Sequence, residues 1–176
     1  TVFAHRLAHT GSKASIFLFD ESITTFLRRS KGLGMEFEHL IAADLIHVHE
    51  LSFGNITPGK FASLVDEDVE KWGAEIVIID TLTGYLNAMP TKARLISQMH
   101  EITRRLNQQN VLTFLIVAQH GVIGVSMDIA IDISYLADTV LLFRHFETAG
   151  ELRQAISVYK NRYGAHKKQI CEVLLR

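Results

Sequence analysis

Three continuous apolar runs dominate the chain, and each of them is followed by a polar side chain. The runs are rich in β-branched and aromatic residues, which is typical of strands buried on both faces of a parallel sheet. A shorter run at residues 45–49 predicts a fourth strand. The long runs and the residues that follow them are residues 14–19 before Asp20 and Glu21, residues 75–79 before Asp80, and residues 111–118 before Gln119.

Amphipathic helices are predicted between these strands. Ser22 is a suitable N-cap for a helix that ends near Gly32 and Gly34. Thr57 followed by Pro58 predicts the start of a second helix. A third begins at residues 90–91 and carries apolar side chains at helical spacing, at Leu95, Met99, Ile102 and Leu106. Alternating strands and helices predict a parallel sheet that is covered on both faces.

The pattern changes after about residue 134 to strands with short connections. Residues 138–143, 153–160 and 170–175 are predicted strands, and residues 147–150 are a predicted hairpin loop. We expect the later strands of the sheet to be antiparallel. Because no repeat or low-complexity linker interrupts the sequence, residues 1–176 are expected to form one domain.

Composition narrows the class of protein. A chain of 176 residues with 48% hydrophobic and 21% charged content is ordinary for a globular domain. With a net charge of −1, the chain lacks the excess of positive charge that is typical of proteins that bind nucleic acid non-specifically. Cys171 is the only cysteine, which excludes an internal disulfide and fits a reducing cytosol, so a cytoplasmic location is expected. No apolar run approaches the length of a membrane span.

The polar residues after the strands point to a nucleotide site, since ligands of open α/β sheets bind beyond the carboxyl ends of the strands. Asp80 has the position of a Walker B carboxylate that is associated with Mg²⁺. Glu21 is a candidate general base, and Gln119 a candidate sensor of the γ-phosphate. Any one of these residues could simply mark where a buried strand meets solvent. Three strands ending in this way favour a functional site.

A phosphate-loop match is not convincing. Residues 54–60 contain the spacing Gly-x-x-x-x-Gly-Lys. However, Phe61 stands where a Ser or Thr should bind Mg²⁺, and Pro58 removes a backbone N–H from the phosphate cradle. This segment is therefore predicted to be the start of a helix.

Together, these segments resemble the KaiC branch of the RecA/DnaB superfamily over nearly the whole chain. The segments that carry the resemblance are residues 17–22 with their paired acids, 27–29, 34–37, 78–82 around Asp80, 135–142 and 150–162. The resemblance implies a RecA-like P-loop NTPase fold, a three-layer α/β/α sandwich with a mostly parallel sheet and antiparallel C-terminal strands. It also implies binding and hydrolysis of ATP with Mg²⁺.

The resemblance places Thr1 at the threonine of the Walker A motif, where its hydroxyl would bind Mg²⁺. The helix behind the phosphate loop would then be residues 2–10. The first strand and the phosphate loop would precede Thr1, so this fragment alone is not expected to bind ATP tightly.

The same resemblance assigns roles to other residues. Glu21, with Asp20, would be the general base. Lys160, Arg162 and His166 would reach the nucleotide of the neighbouring subunit, in the manner of an arginine finger. This implies a ring of identical subunits, expected to be a hexamer, which could also meet regulatory proteins.

The sequence departs from the family at the phosphoacceptor positions of its clock members. Ser134 is followed by Tyr135 instead of Thr, which leaves Ser134 as the candidate phosphoacceptor and puts autokinase activity in doubt. One rival interpretation is a RecA/RadA-type DNA-dependent ATPase. Residues 121–131 would then contact DNA, but they contain no Lys or Arg, which argues against nucleic acid. A second rival is a non-catalytic ring scaffold.

Two histidine pairs are spaced so that each could contribute to a metal site. His5 and His9 are one helical turn apart, and His47 and His49 share a face of a strand. Neither pair has a third ligand near it in the sequence.

Overall fold

The computed structural model describes residues 1–51, 54, 56–88, 92–117, 134–167 and 169–173, with only the backbone described at residues 92, 93 and 134. The chain divides into two compact units, Thr1–Ala118 and Gln119–Arg176. No helix among the described residues is long and apolar enough to cross a membrane.

The first unit is built on a four-stranded parallel sheet with strand order β2-β1-β3-β4. All four strands were predicted from the apolar runs, and the structure confirms them. Their bounds are Ala14–Leu18 (β1), Ile46–Glu50 (β2), Ile76–Asp80 (β3) and Leu112–Ile116 (β4).

Helices cover both faces of this sheet, which confirms the predicted three-layer arrangement. Successive side chains of a strand point to opposite faces. On one face, Ile16 and Leu18 pack in a core with α1, α2 and α3, whereas on the other face Phe17 contacts Phe61 of α4. The helices of this unit are Val2–Ala8 (α1), Ile23–Gly32 (α2), Glu38–Ala42 (α3), Pro58–Asp66 (α4), which continues as a π-helix at Glu67–Trp72, Leu82–Asn87 (α5) and Lys92–Gln108 (α6).

The predicted helix caps are present. The Ser22 hydroxyl accepts a hydrogen bond from the Thr25 N–H at 3.2 Å. The Thr57 hydroxyl accepts one from the Lys60 N–H at 3.2 Å, and Pro58 is the first residue of α4. The phosphate-loop-like segment thus leads into an ordinary capped helix, as predicted. The apolar positions of α6 are also buried, with Leu95, Met99, Ile102 and Leu106 at most 3% exposed.

One strand differs from its prediction. Residues 111–118 were expected to be buried on both faces, but β4 is only partly buried and the side chain of Leu112 is 48% exposed. The reason is that β4 lies at the edge of the described sheet, where it pairs with β3 alone.

The second unit contains a three-stranded antiparallel sheet in the order β5-β6-β7. The antiparallel strands were predicted, but among the described residues they form their own sheet instead of extending the parallel one. Ala149 and Gly150 join β5 to β6, both with positive φ (50° and 76°), which suits a tight hairpin turn. The elements of this unit are a 3₁₀ turn at Ser134–Leu136, β5 at Thr139–Thr148, β6 at Glu151–Asn161 and β7 at Ile170–Val173.

Candidate active site

The carboxyl ends of β1 and β3 bring three acidic residues together. These strands are neighbours, and Leu18 of β1 pairs with Asp80, the last residue of β3. The Phe19 N–H donates a hydrogen bond to the Asp80 carbonyl at 2.7 Å, so the chain leaves β1 alongside Asp80. Asp20 and Glu21 follow at once. The predicted acids therefore lie at one edge of the sheet.

The electrostatics of Asp80 reflect this proximity. Burial raises the pKa of the Asp80 carboxyl above its usual range, and the negative charges of Glu21 and, to a smaller extent, Asp20 raise it further. The Arg29 guanidinium acts in the opposite direction. Asp80 is thus a partly buried carboxylate that is repelled by the like charges of Glu21 and Asp20.

Thr1 is the N-cap residue of α1, and its backbone nitrogen lies within electrostatic range of the Asp80 carboxylate. The role of its hydroxyl as a Mg²⁺ ligand stays a prediction.

Arg29 also contacts the acidic residues, and its sequence position alone indicates no role for it. Its guanidinium holds both carboxylate oxygens of Glu21, through Nη2 to Oε1 and through Nε to Oε2 at 3.3 Å. This hydrogen bonding raises the pKa of the arginine. The sequence does indicate that Arg29 faces the start of α2, because it lies two helical turns after the N-cap Ser22 and so shares its face of the helix. The bidentate pair fixes the orientation of Glu21.

Asp20 is held by residues that follow β3. Thr81 is the N-cap of α5, and its hydroxyl accepts a hydrogen bond from the Gly84 N–H at 2.9 Å. The same hydroxyl donates to Asp20 Oδ2 at 2.5 Å. The Asp80–Thr81 peptide bond is cis. The sequence alone marks Thr81 only as a helix cap, and its second role depends on the β1–β3 pairing.

Gly84 makes the close approach of Asp20 possible. A Cβ atom at position 84 would lie 2.6 Å from Asp20 Oδ1, 2.7 Å from Asp20 Oδ2 and 2.7 Å from Phe19 Cβ. Such distances are not tolerated, so only glycine fits between the start of α5 and the end of β1.

This donor set fits a divalent cation. Hard cations such as Mg²⁺ bind oxygen ligands, and this edge offers the Asp80 carboxylate, with Glu21 and Asp20 near enough to act on it electrostatically. Burial and the surrounding like charges disfavour ionised Asp80 in the absence of a cation. A cation bound beside Asp80 would relieve this repulsion.

The predicted cationic residues lie in the second unit. Lys160, near the end of β6, donates through Nζ to the Ala137 carbonyl at 2.9 Å. Arg162, one residue beyond β6, forms an ion pair with Asp138 at 2.8 Å. His166 follows in the segment before β7 and is partly buried.

Several predicted features lie outside the described residues. They are Gln119, the side chain of Ser134, residues 121–131, the helix start at residues 90–91 and the end of the last strand at residues 174–175. The γ-phosphate sensor and the phosphoacceptor therefore stay predictions.

Comparison with known proteins identifies relatives for nearly the whole chain. The family model described as "ATPase: KaiC" matches residues 1–174. The circadian clock oscillator protein KaiC of Prochlorococcus marinus (strain SARG) is 23% identical over 163 residues, which cover 93% of this chain and 32% of that protein. KaiC of Synechococcus elongatus is 21% identical over 173 residues, or 98% of this chain and 33% of the relative.

A further relative is the circadian clock protein KaiC3 of a Synechocystis species. It is 22% identical over 162 residues, which cover 92% of this chain and 32% of KaiC3. The chain thus spans about a third of the length of the curated relatives that it matches.

Proposed function

Because the chain belongs to the KaiC ATPase family, we propose that it forms part of a Mg²⁺-dependent ATP-hydrolysing module that works in a ring and couples nucleotide state to protein partners. The observation that carries this proposal is the convergence of Asp20, Glu21 and Asp80 at the carboxyl ends of β1 and β3. Because the relatives are named as circadian clock proteins, we propose that the module acts in a related timing or signalling process.

In this proposal Asp80 and Thr1 hold the cation, and Glu21 accepts a proton from the attacking water. Mg²⁺, when bound, neutralises phosphate charge during transfer. Arg29 keeps the Glu21 carboxylate in one orientation, and Thr81 does the same for Asp20. Both acids are therefore held in defined orientations, and Glu21 acts as the base when an attacking water comes within hydrogen-bond reach of its carboxylate.

Lys160 and Arg162, with His166, serve the nucleotide of the neighbouring subunit in this proposal. Arg162 is paired with Asp138 of its own chain, but its side chain is 48% exposed. Exposed ion pairs are weak, so a phosphate group across an interface can compete for this arginine. The expected ring is a hexamer, and Gln119 is proposed to sense the γ-phosphate.

The base is tested with Glu21→Gln in the full-length protein. We expect ATP binding to be retained and turnover to fall by about 10²-fold or more, because glutamine cannot accept the proton. Turnover and nucleotide affinity would be measured separately. Glu36→Gln is a matched control, since Glu36 is exposed and lies outside the cluster. Unchanged turnover in Glu21→Gln excludes Glu21 as the base, and a wild-type protein without ATPase activity favours the scaffold interpretation.

Sharing of sites between subunits is tested by mixing. Arg162→Ala subunits and Glu21→Gln subunits are each expected to be poorly active alone. Mixed rings contain some interfaces with an intact Glu21 on one side and an intact Arg162 on the other, and these should recover activity. Absence of recovery at every mixing ratio, with mixed assembly verified, would contradict the trans role of Arg162.

A further inference from the structure

A second cluster of ligating side chains lies on one face of the sheet in the first unit, away from the strand ends. His47 and His49 of β2 point to the same face, and in the parallel pairing of β1 with β2 their partners are Ser15 and Phe17. The π-helix Glu67–Trp72 lies over this face and supplies Asp68, which is 4% exposed. The third ligand that the sequence lacks near His47 and His49 thus comes from a distant segment.

The three side chains meet at coordination spacing. His49 Nε2 lies 2.6 Å from Asp68 Oδ2, and His47 Nδ1 lies 3.1 Å from Asp68 Oδ1. One ligand atom from each residue lies within 4.8 Å of the other two. Ligands around a tetrahedral zinc ion, at bonds of about 2.0–2.1 Å, lie about 3.3 Å apart. Adjustment of the side chains from these distances to that spacing would convert the cluster into a metal site.

We propose that His47, His49 and Asp68 form a binding site for Zn²⁺, with the fourth coordination position open to water. Two imidazoles and one carboxylate suit zinc and similar first-row metals far better than Mg²⁺. A hollow of about 450 Å³ borders the three ligands, with Glu67, Lys71 and Trp72 on its rim. This hollow gives an ion a path of entry and leaves room for a water ligand.

Surrounding groups orient the ligands as outer-shell partners do in metal sites. His47 Nε2 lies 3.3 Å from Asp44 Oδ1, and because a carboxylate only accepts hydrogen bonds, this nitrogen donates a hydrogen to Asp44. Nδ1 faces Asp68 Oδ1 and likewise donates to it, so a metal ion binding at Nδ1 would displace that hydrogen, while the bond to Asp44 keeps the ring oriented. The Ser15 hydroxyl donates to Asp68 Oδ2 from within the core.

Aromatic contacts fix both imidazole rings. Trp72 stacks on His47 with ring centroids 3.6 Å apart and planes at 10°. Phe17 stacks on His49 at 4.8 Å and 9°. Two oriented rings beside a buried carboxylate form a preorganised donor set, which reduces the cost of binding an ion.

The test uses metal-free full-length protein titrated with Co²⁺, followed by competition with Zn²⁺. We expect one Co²⁺ per chain with the intense visible bands of tetrahedral coordination, and loss of these bands when Zn²⁺ is added. His47→Gln and His49→Gln should each weaken Zn²⁺ binding by about 10²-fold or more. His9→Gln is the matched control, because it alters the other histidine pair and should leave the affinity unchanged.

Several results would overturn the site. They are the absence of tetrahedral bands, an unchanged affinity in both histidine variants, or a loss of affinity in His9→Gln. Co²⁺ bound at the carboxylates near Asp80 would be six-coordinate and oxygen-rich, and would give only weak bands. Circular dichroism in chelator shows whether each variant is folded. If both variants unfold, X-ray absorption spectroscopy of the zinc-loaded wild type identifies the ligand atoms around the metal. A coordination shell without imidazole nitrogen would contradict the proposal.

Discussion

Replacing Gly84 by alanine tests whether the end of β1 and the start of α5 are packed as closely as the structure indicates. The new Cβ atom would lie 2.6 Å from Asp20 Oδ1 and 2.7 Å from Phe19 Cβ. The carboxylate could rotate away, but it would then lose the hydrogen bond from Thr81. Phe19 Cβ is attached directly to the backbone, so relief on that side requires the end of β1 to shift.

The expected magnitude combines two opposing effects. Overpacking of a well-packed core costs about 1–3 kcal/mol. Alanine in place of glycine within a helix raises the free energy of unfolding by up to about 1 kcal/mol through its higher helix propensity. Because three contacts are shorter than 3.0 Å and one of them involves Cβ of Phe19, we expect overpacking to exceed the gain in helix propensity. Gly84→Ala should therefore lower the free energy of unfolding by about 1–2 kcal/mol.

Gly59→Ala is the matched control. Gly59 lies in α4, and a Cβ atom built there meets no atom within 4 Å. This variant should be neutral or stabilised by up to about 1 kcal/mol. The assay is urea unfolding of both variants and the wild type, with ATPase turnover as a second readout for the displaced Asp20. If Gly84→Ala is as stable as Gly59→Ala, the close packing described here is wrong.

Two further predictions concern titratable groups. Burial raises the pKa of Tyr85 to about 12 from an ordinary value of 10.0, so the folded protein should lose stability as the pH rises from about 10 through about 12. Tyr85→Phe should abolish that part of the loss of stability at alkaline pH. If the free energy of unfolding of Tyr85→Phe falls with pH as much as that of the wild type does, the prediction is wrong. Asp80→Asn removes a carboxylate opposed by Glu21 and Asp20. It should raise the unfolding free energy at neutral pH by about 1 kcal/mol or less in low salt without Mg²⁺, and lower ATPase turnover. A lower thermal midpoint under these conditions would show that the acids do not oppose one another.

Much of the first unit follows from its sequence. The apolar runs locate β1 and β3 because a strand buried on both faces is built mostly of apolar side chains. Ser22 and Thr57 mark helix starts because their hydroxyls satisfy free N–H groups locally. Asp20, Glu21 and Asp80 were expected near one another because parallel strands present their carboxyl ends at one edge, and Leu18 of β1 pairs with Asp80 of β3. Each of these inferences uses either neighbouring residues or the common direction of the strands.

Other features depend on pairings that no local pattern specifies. Thr81 forms a hydrogen bond with Asp20, which is 61 positions away in the sequence. Asp68 forms one with His49, which is 19 positions away. Asp68 also depends on a π-helix, whose wider turn changes which side chains face the sheet. The exposure of β4 follows from its edge position, which is a property of strand order. Register and strand order decide these contacts, and neither can be read from a single segment.

The alternation of side chains along β1 connects the two proposed sites while keeping their chemistry separate. Ser15 and Phe17 contact the histidine cluster through Asp68 and His49, and the chain then continues past Leu18 to Asp20 and Glu21. Phe61 lies between them, with ring centroids 5.3 Å from Phe17 and 5.5 Å from Phe19. The three phenylalanines are buried, and Tyr85 packs against Phe19 and Phe61 beside them. These contacts offer one route by which zinc binding could affect the acidic edge, and Phe61→Leu, which thins this layer while keeping it apolar, tests it by comparing the effect of zinc on ATPase turnover in the variant and the wild type.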